Sequence, residues 1–181
     1  AEAVATRGDA RSADLDGVID RPAALRGDIR VSRIGPNFGR WDELLGLILD
    51  AFAYMEGVID PPSSARLLTE EALRGKAAAE IGHVVEMDGR LVACVFLRPE
   101  PGALYLGKIA VAPGLQGLGL GRRLLALSVT EACALGLGRL RLETRIELIG
   151  NHRTFESWGF RRVGESAHPG HSAPTSIEMH L

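Results

Sequence analysis

The run Gln116-Gly117-Leu118-Gly119-Leu120-Gly121-Arg122-Arg123 carries the clearest chemistry in this sequence. Its three alternating glycines fall where an apolar segment, Ile109–Val111, gives way to a helical pattern starting at Leu120. A turn of that kind aims unpaired N–H groups and the positive end of a helix dipole at one point. A phosphate group suits such a point, and Arg122 and Arg123 add positive charge beside it. Two nucleotide fingerprints fail on residue type. A G-x-G-x-x-G pattern started at Gly117 meets Arg122, and started at Gly119 it meets Leu124. A Walker loop counted from Gly114 reaches Gly119 but then meets Leu120 and Gly121, where Lys and Ser or Thr belong. Three antiparallel strands also precede the loop in place of a βαβ unit.

Proton-transfer candidates are few. Glu147, His152 and His168 are the titratable groups nearest in sequence, and Tyr54 and Tyr105 are the two phenols of the chain. Each also reads as an ordinary solvated or structural side chain. His168-x-x-His171 lies in a Gly/Pro/Ser loop without a cysteine or carboxylate pair, so no metal is expected. Cys94 and Cys133 sit in apolar stretches without metal-type spacing, which fits a reduced, cytoplasmic protein, and Cys94 reads as packing. Asn151 reads as the N-cap of a short helix ended by Gly159.

The elements that must position these groups emerge from pattern. The 181 residues suit one domain, and 46% hydrophobic with 24% charged residues is ordinary for a soluble protein. Lys and Arg number 21 against 23 Asp and Glu, a formal charge of -2 that argues against nucleic acid as partner. No apolar run reaches the roughly 18 residues of a membrane span. Residues 1–27 lack amphipathic period and read as a mobile arm or a vector-derived remnant, leaving 28–181 as the domain. Asp28–Ile34 reads as a strand. Trp41, Leu44, Leu45, Ile48, Phe52 and Met55 mark an amphipathic helix. Ser63 can cap a second helix and Thr69 its continuation through Arg74, and after Gly75 the pattern turns to strands. Ile81–Met87 and Leu91–Leu97 flank the hairpin signal Asp88-Gly89, and Pro99–Gly102 reads as the next turn. Ala103–Val111 is a third strand. Leu120–Leu135 is a helix with Leu124, Leu125, Ala132 and Leu135 on its inner face. Strands at Arg139–Thr144, Phe160–Glu165 and Thr175–His180 complete an α/β (α+β) chain.

Gln116–Gly121 matches the Q/R-x-x-G-x-G/A motif of the GNAT N-acetyltransferase superfamily. Ile109-Ala-Val-Ala-Pro113 resembles that family's central strand, and Phe155-Glu-Ser-Trp-Gly-Phe160 its C-terminal helix. Residues 52–64 and 144–148 are similar to an uncharacterised bacterial subgroup. The resemblance implies a mixed, mostly antiparallel sheet of six to seven strands with about four helices, and acetyl-CoA as co-substrate. It implies pyrophosphate contacts from Gln116, Gly117, Leu118, Gly119, Leu120, Gly121 and Arg122. It further implies pantetheine and acetyl contacts from the backbone of Ile109, Ala110 and Val111, with the strand at Arg139–Thr144 splayed away to open the cleft. Asn151 stands near the family's pantetheine-side Asn, although closer to Phe155 than the family spacing. Phe155 occupies a position where the family often has a Tyr that protonates the departing thiolate, so that role falls elsewhere. Glu147 and His168 are the expected catalytic groups. The acceptor, a small-molecule or peptide amine, would meet a pocket carrying Tyr54, Glu56, Asp60, Arg145, Glu147, His168 and His171. A homodimer is left open as an assembly state. The competing expectation is an acyl-CoA-binding sensor without transfer activity, which the Phe at 155 would allow.

Overall fold

The structure, a computed structural model, describes residues 27–181. The expected arm, residues 1–27, falls outside the described residues apart from Gly27. Along the chain run β1 (Ile29–Arg33), α1 (Trp41–Phe52), α2 (Glu70–Ala79), β2 (Ile81–Met87), β3 (Arg90–Glu100) and β4 (Ala103–Val111). Then come α3 (Leu120–Ala134), β5 (Leu140–Arg145), α4 (Ile149–Ser157), β6 (Arg161–Ser166) and β7 (Ser176–His180). Two short 3-10 segments, Ala53–Met55 and Ser64–Leu67, separate α1 from α2. The strands make one seven-stranded sheet in the order β1-β2-β3-β4-β5-β7-β6, in which β4 and β5 alone run parallel.

Local chemistry accounts for most boundaries. Asp88 and Gly89 both take positive φ, 50° and 81°, the conformation a two-residue hairpin needs. Ser63 and Thr69 cap as expected, their hydroxyls accepting from the N–H groups of Ala65 and Ala72. At the start of α1 Arg40 binds Glu43 at 2.7 and 2.9 Å, while Glu43 also accepts the Leu91 N–H at 2.8 Å. That clamp seats α1 on the first residues of β3.

Several expectations are corrected. The helix after Thr69 continues through Gly75 to Ala79, because Lys76 and three alanines favour helix and Lys76 pairs with Glu80 at 2.7 Å. Pro99 belongs to β3 and not to the turn. Its partner Leu104 sends its N–H to Arg139 instead, so the pair exchanges no hydrogen bond and the missing donor is harmless. Leu135 is exposed at the end of α3. Asn151 is no cap: α4 begins at Ile149, and Asn151 is buried in its first turn.

The sheet lies between two apolar clusters. One gathers Val95, Leu97, Leu104, Leu106, Ile109, Leu120, Leu124, Phe155 and Phe160 under α3 and α4. The other joins Trp41, Leu44, Ile48, Phe52, Leu73, Cys94, Phe96 and Ala110 under α1 and α2. On β4 the first face is served by Leu104 and Leu106, then by Ile109 and Val111, a change of phase. The register slips there, from Leu97↔Leu106 to Phe96↔Lys108, so Gly107 is an inserted residue. A bulge of this kind bends its strand and sharpens its twist. It lies two residues past Tyr105↔Arg141, the last pair joining β4 to β5.

Candidate functional site

Beyond that pair the two parallel strands separate. From Leu106 to Val111, β4 pairs with β3 only, and from Leu142 to Arg145, β5 pairs with β7 only. The Ala112 N–H donates to Val92 on β3 (2.8 Å), so alternation turns the N–H groups of Val111 and Ile109 toward the seam. The expected splay is therefore present, and it presents main-chain donors of Ile109 and Val111 along one wall. Gln116 closes the end of that wall, its Nε2 donating to the Val111 carbonyl at 3.3 Å.

The seam leads into the glycine loop at the N-terminus of α3. Gly119 is the N-cap, with φ 87° and ψ -1°, and Gly117 has φ 80°. Side chains rarely adopt that conformation, and a Cβ at either position would meet open space. Gln116 and Gly117 form a tight turn, and among the described residues no backbone carbonyl accepts from the N–H groups of Gly119 to Arg122. Gly121 has a different reason to be glycine. A Cβ there would stand 2.7 Å from the Trp158 ring. Trp158 in turn meets Phe155 edge to face at 5.5 Å, and Arg122 donates to the Ser157 carbonyl at 3.0 Å. The end of α4 is thus packed directly against the start of α3. Phe155 is wholly buried and also edges Phe160 at 5.8 Å.

Two polar contacts span from the segment after α1 to the segment after β5. The Asn151 side-chain amide donates to the Tyr54 hydroxyl at 3.0 Å. The Asp60 N–H donates to Glu147 Oε1 at 3.1 Å. Arg145, fully buried, approaches the same carboxylate at 3.6 Å. Burial pushes the Glu147 carboxyl up, but the N–H groups of Asp60 and Glu147 and the Arg145 charge outweigh it and hold the group below its ordinary range. Glu147 Oε2 is buried with no hydrogen-bond partner among the described residues. His168 Nδ1 lies 2.6 Å from the Thr175 hydroxyl, and the Thr175 carbonyl accepts the Ile146 N–H at 3.1 Å. The Ile146–Thr175 hydrogen bond thus joins the two loops that carry Glu147 and His168.

Other candidates serve structure. His152 Nε2 bonds the Arg145 carbonyl at 2.8 Å inside the protein. Tyr105 sits at the closed end of the seam, between the guanidinium groups of Arg98 and Arg141 at 4.8 and 5.0 Å. Burial pushes its hydroxyl far above the ordinary phenol range. Burial likewise pushes the Cys94 thiol up to about 12, and Cys133 lies on the exposed face of α3. Among the described residues no group of three His, Cys, Asp or Glu side chains is placed to hold a metal, and no helix is long and apolar enough to cross a membrane.

Two cavities flank α1. One, of about 550 Å³, lies between α1 and the Ser64–Leu67 segment, with Phe52, Met55, Ile59 and Ala65 as its apolar wall. The other, of about 770 Å³, runs from Glu43 and Leu47 to Val92, Ala112 and Leu115, where β4 gives way to the glycine loop. Asp50 and Ala53 line both. Asp50 was not legible as a site residue: the first cavity is built from its own neighbours, but the second brings residues 87–92 and 112–115 to it from remote parts of the sequence. Of the side chains expected around an acceptor, Glu56 lines the first cavity, Arg145 is in the core, and His168 is engaged with Thr175.

Residues 41–160 match the family model described as Acetyltransferase (GNAT) family. No curated protein matches the sequence. Among solved structures the chain resembles an acetyltransferase from Streptococcus agalactiae, at 16% identity and TM-score 0.67, over 86% of this chain and 98% of that one. A GNAT family acetyltransferase from Elizabethkingia anophelis, solved with acetyl-CoA bound, matches at 17% identity and TM-score 0.60 over 84% and 97% of the chains. The ribosomal-protein-S18-alanine N-acetyltransferase from Escherichia coli matches at 20% identity and TM-score 0.60 over 85% and 93%.

Proposed function

Because the chain belongs to the GNAT acetyltransferase family, we propose that it moves the acetyl group of acetyl-CoA directly onto a primary amine. One observation carries this reading: the unpaired edge of β4 from Leu106 to Val111 runs straight into an open N–H loop at a helix N-terminus. The loop from Gln116 to Arg122 suits the pyrophosphate, with the helix dipole and Arg122 behind it. The seam-side N–H groups of Ile109 and Val111, with Ala110 between them, suit the pantetheine amides and a thioester carbonyl on which negative charge develops. Asn151, bridged to Tyr54, stands in the first turn of α4, the helix that follows β5, and suits a contact from that side. Phe155 acts through packing, holding Trp158 against Gly121.

In the transfer the amine nitrogen forms a bond to the acetyl carbon while the carbon–sulfur bond breaks, its electron pair leaving on the thiolate. The amine must shed a proton, and the Glu147–His168 loop cluster is the proposed acceptor, directly or through water. A covalent acyl-enzyme has no support, since Cys94 is buried and held protonated while Cys133 faces outward from α3. A thiol-release assay with acetyl-CoA over a panel of amines tests the proposal. Free CoA should appear only when an amine is present. A protein that binds acetyl-CoA but never consumes it in an amine-dependent way would be a sensor.

A further inference from the structure

The wall shared by the two cavities carries a single carboxylate, Asp50, and no ion pair engages it among the described residues. Across the rim, Glu56 is paired with Arg66 at 3.6 Å, so those two charges offset one another and the rim keeps one net negative charge. Beneath it the surface is apolar, since Phe52, Met55, Ile59 and Ala65 are all core residues. The volume of about 550 Å³ falls within the range of small-molecule sites. The same carboxylate faces the second cavity, which reaches Val92 and Ala112 beside the end of β4.

On the transferase reading above, we infer that the acceptor is a primary amine borne by an apolar body, such as an arylalkylamine. The body lies between α1 and the Ser64–Leu67 segment, and the ammonium is received by Asp50 at the passage toward β4. Competing amines are disfavoured by named groups. A free amino acid seated in the first cavity would bring its carboxylate against Asp50 and Glu56, where Arg66, the one cation lining that cavity among the described residues, is already paired. A polyamine lying along the first cavity would lay its second ammonium on the apolar wall, since Glu56 is already paired with Arg66. A peptide would strip water from its amides against a surface whose Ser63 hydroxyl already accepts the Ala65 N–H at 3.2 Å.

The test uses the full chain, isotope-labelled at methyl groups and saturated with CoA. It is titrated separately with 2-phenylethylamine, L-phenylalanine and spermidine. 2-Phenylethylamine should shift the methyl signals of Met55 and Ala65, while L-phenylalanine, the same body with a carboxylate added, and spermidine should bind at least about tenfold more weakly. Asp50→Asn should weaken 2-phenylethylamine about tenfold and leave CoA affinity by calorimetry unchanged. Because Asp50 is exposed, retention of the fold is read from unchanged methyl signals elsewhere. Equal binding of L-phenylalanine or spermidine, or an Asp50→Asn protein indistinguishable from the parent, overturns the inference. CoA binding with no methyl shifts overturns it alone, whereas failure to bind CoA at all overturns the transferase reading beneath it.

Discussion

Gly121→Ala exposes the packing of α4 on the glycine loop, because the expected sign runs against helix propensity. Replacing a helical glycine with alanine ordinarily stabilises by roughly 0.5–1 kcal/mol. At Gly121 the new methyl would lie 2.7 Å from Cη2 and 2.8 Å from Cζ2 of Trp158. Carbon atoms rest at about 3.5–4.0 Å, so the ring would have to retreat by about 1 Å. Phe155 opposes that retreat, being wholly buried and edge-on to the indole at 5.5 Å. Overpacking of this kind costs about 1–3 kcal/mol, which leaves a net loss of up to about 2.5 kcal/mol. Equilibrium urea unfolding of the two single variants and the double variant measures it. In a Trp158→Ala background the clash is gone, and Gly121→Ala should turn mildly stabilising, a coupling that only a direct contact produces. If Gly121→Ala stabilises the parent by the full propensity increment, the contact does not constrain the loop and the reasoning is wrong.

Gly119→Val should abolish CoA binding in a folded protein, since a branched residue at φ 87° is strained and its methyls cover the loop N–H groups; isothermal calorimetry decides, and unchanged affinity would displace the phosphate site. Phe155→Tyr should alter the acetylation rate by less than roughly tenfold, measured at saturating acetyl-CoA, because a general acid is worth little to a thiolate leaving group. The same change should lower stability by about 1–3 kcal/mol, since the ring has no exposed edge on which to place a hydroxyl. Acid should destabilise the protein through its depressed carboxylates. The hydrogen bond from Arg40 holds Glu43 low and that from Arg141 holds Glu178 low, while main-chain N–H groups and Arg145 hold Glu147 low against its burial. The folded chain therefore binds fewer protons than the unfolded one, and stability is lost as pH falls through the ordinary carboxylate range and below it. Melting temperatures recorded downward from neutral pH should decline there, and Glu178→Gln should flatten the decline.

The features legible in the residues alone are mostly local. Asp88-Gly89, Ser63 and Thr69 encode their turn and caps in their own side chains, and the structure uses all three. The glycine loop was readable because alternating glycines before a helix have one economical explanation. The less legible features are those in which remote segments meet. Gly121 looked like its neighbours until Trp158, 37 positions on, supplied the ring that excludes a methyl. Asn151 has the residue type of a cap, yet it is bound by Tyr54, 97 positions earlier in the chain. The bulge at Gly107 was not recognised in a run whose apolar residues suit either phase, although it lies where β4 and β5 part. Pro99 misled for the converse reason: its missing donor matters only where a neighbouring strand wants one.

The parting of β4 from β5 leaves an unusual isotope signature. In an ordinary seven-stranded sheet the central amides are the last to trade hydrogen for deuterium, since opening them requires near-global unfolding. Here Ile109 and Val111 sit at the middle of the sheet with almost fully buried side chains, yet their N–H groups face the seam and lack a strand partner. Their neighbours Ala110 and Ala112 face β3. The protein should therefore show fast and slow amides alternating residue by residue along its most central strand, with a ligand in the seam erasing the alternation.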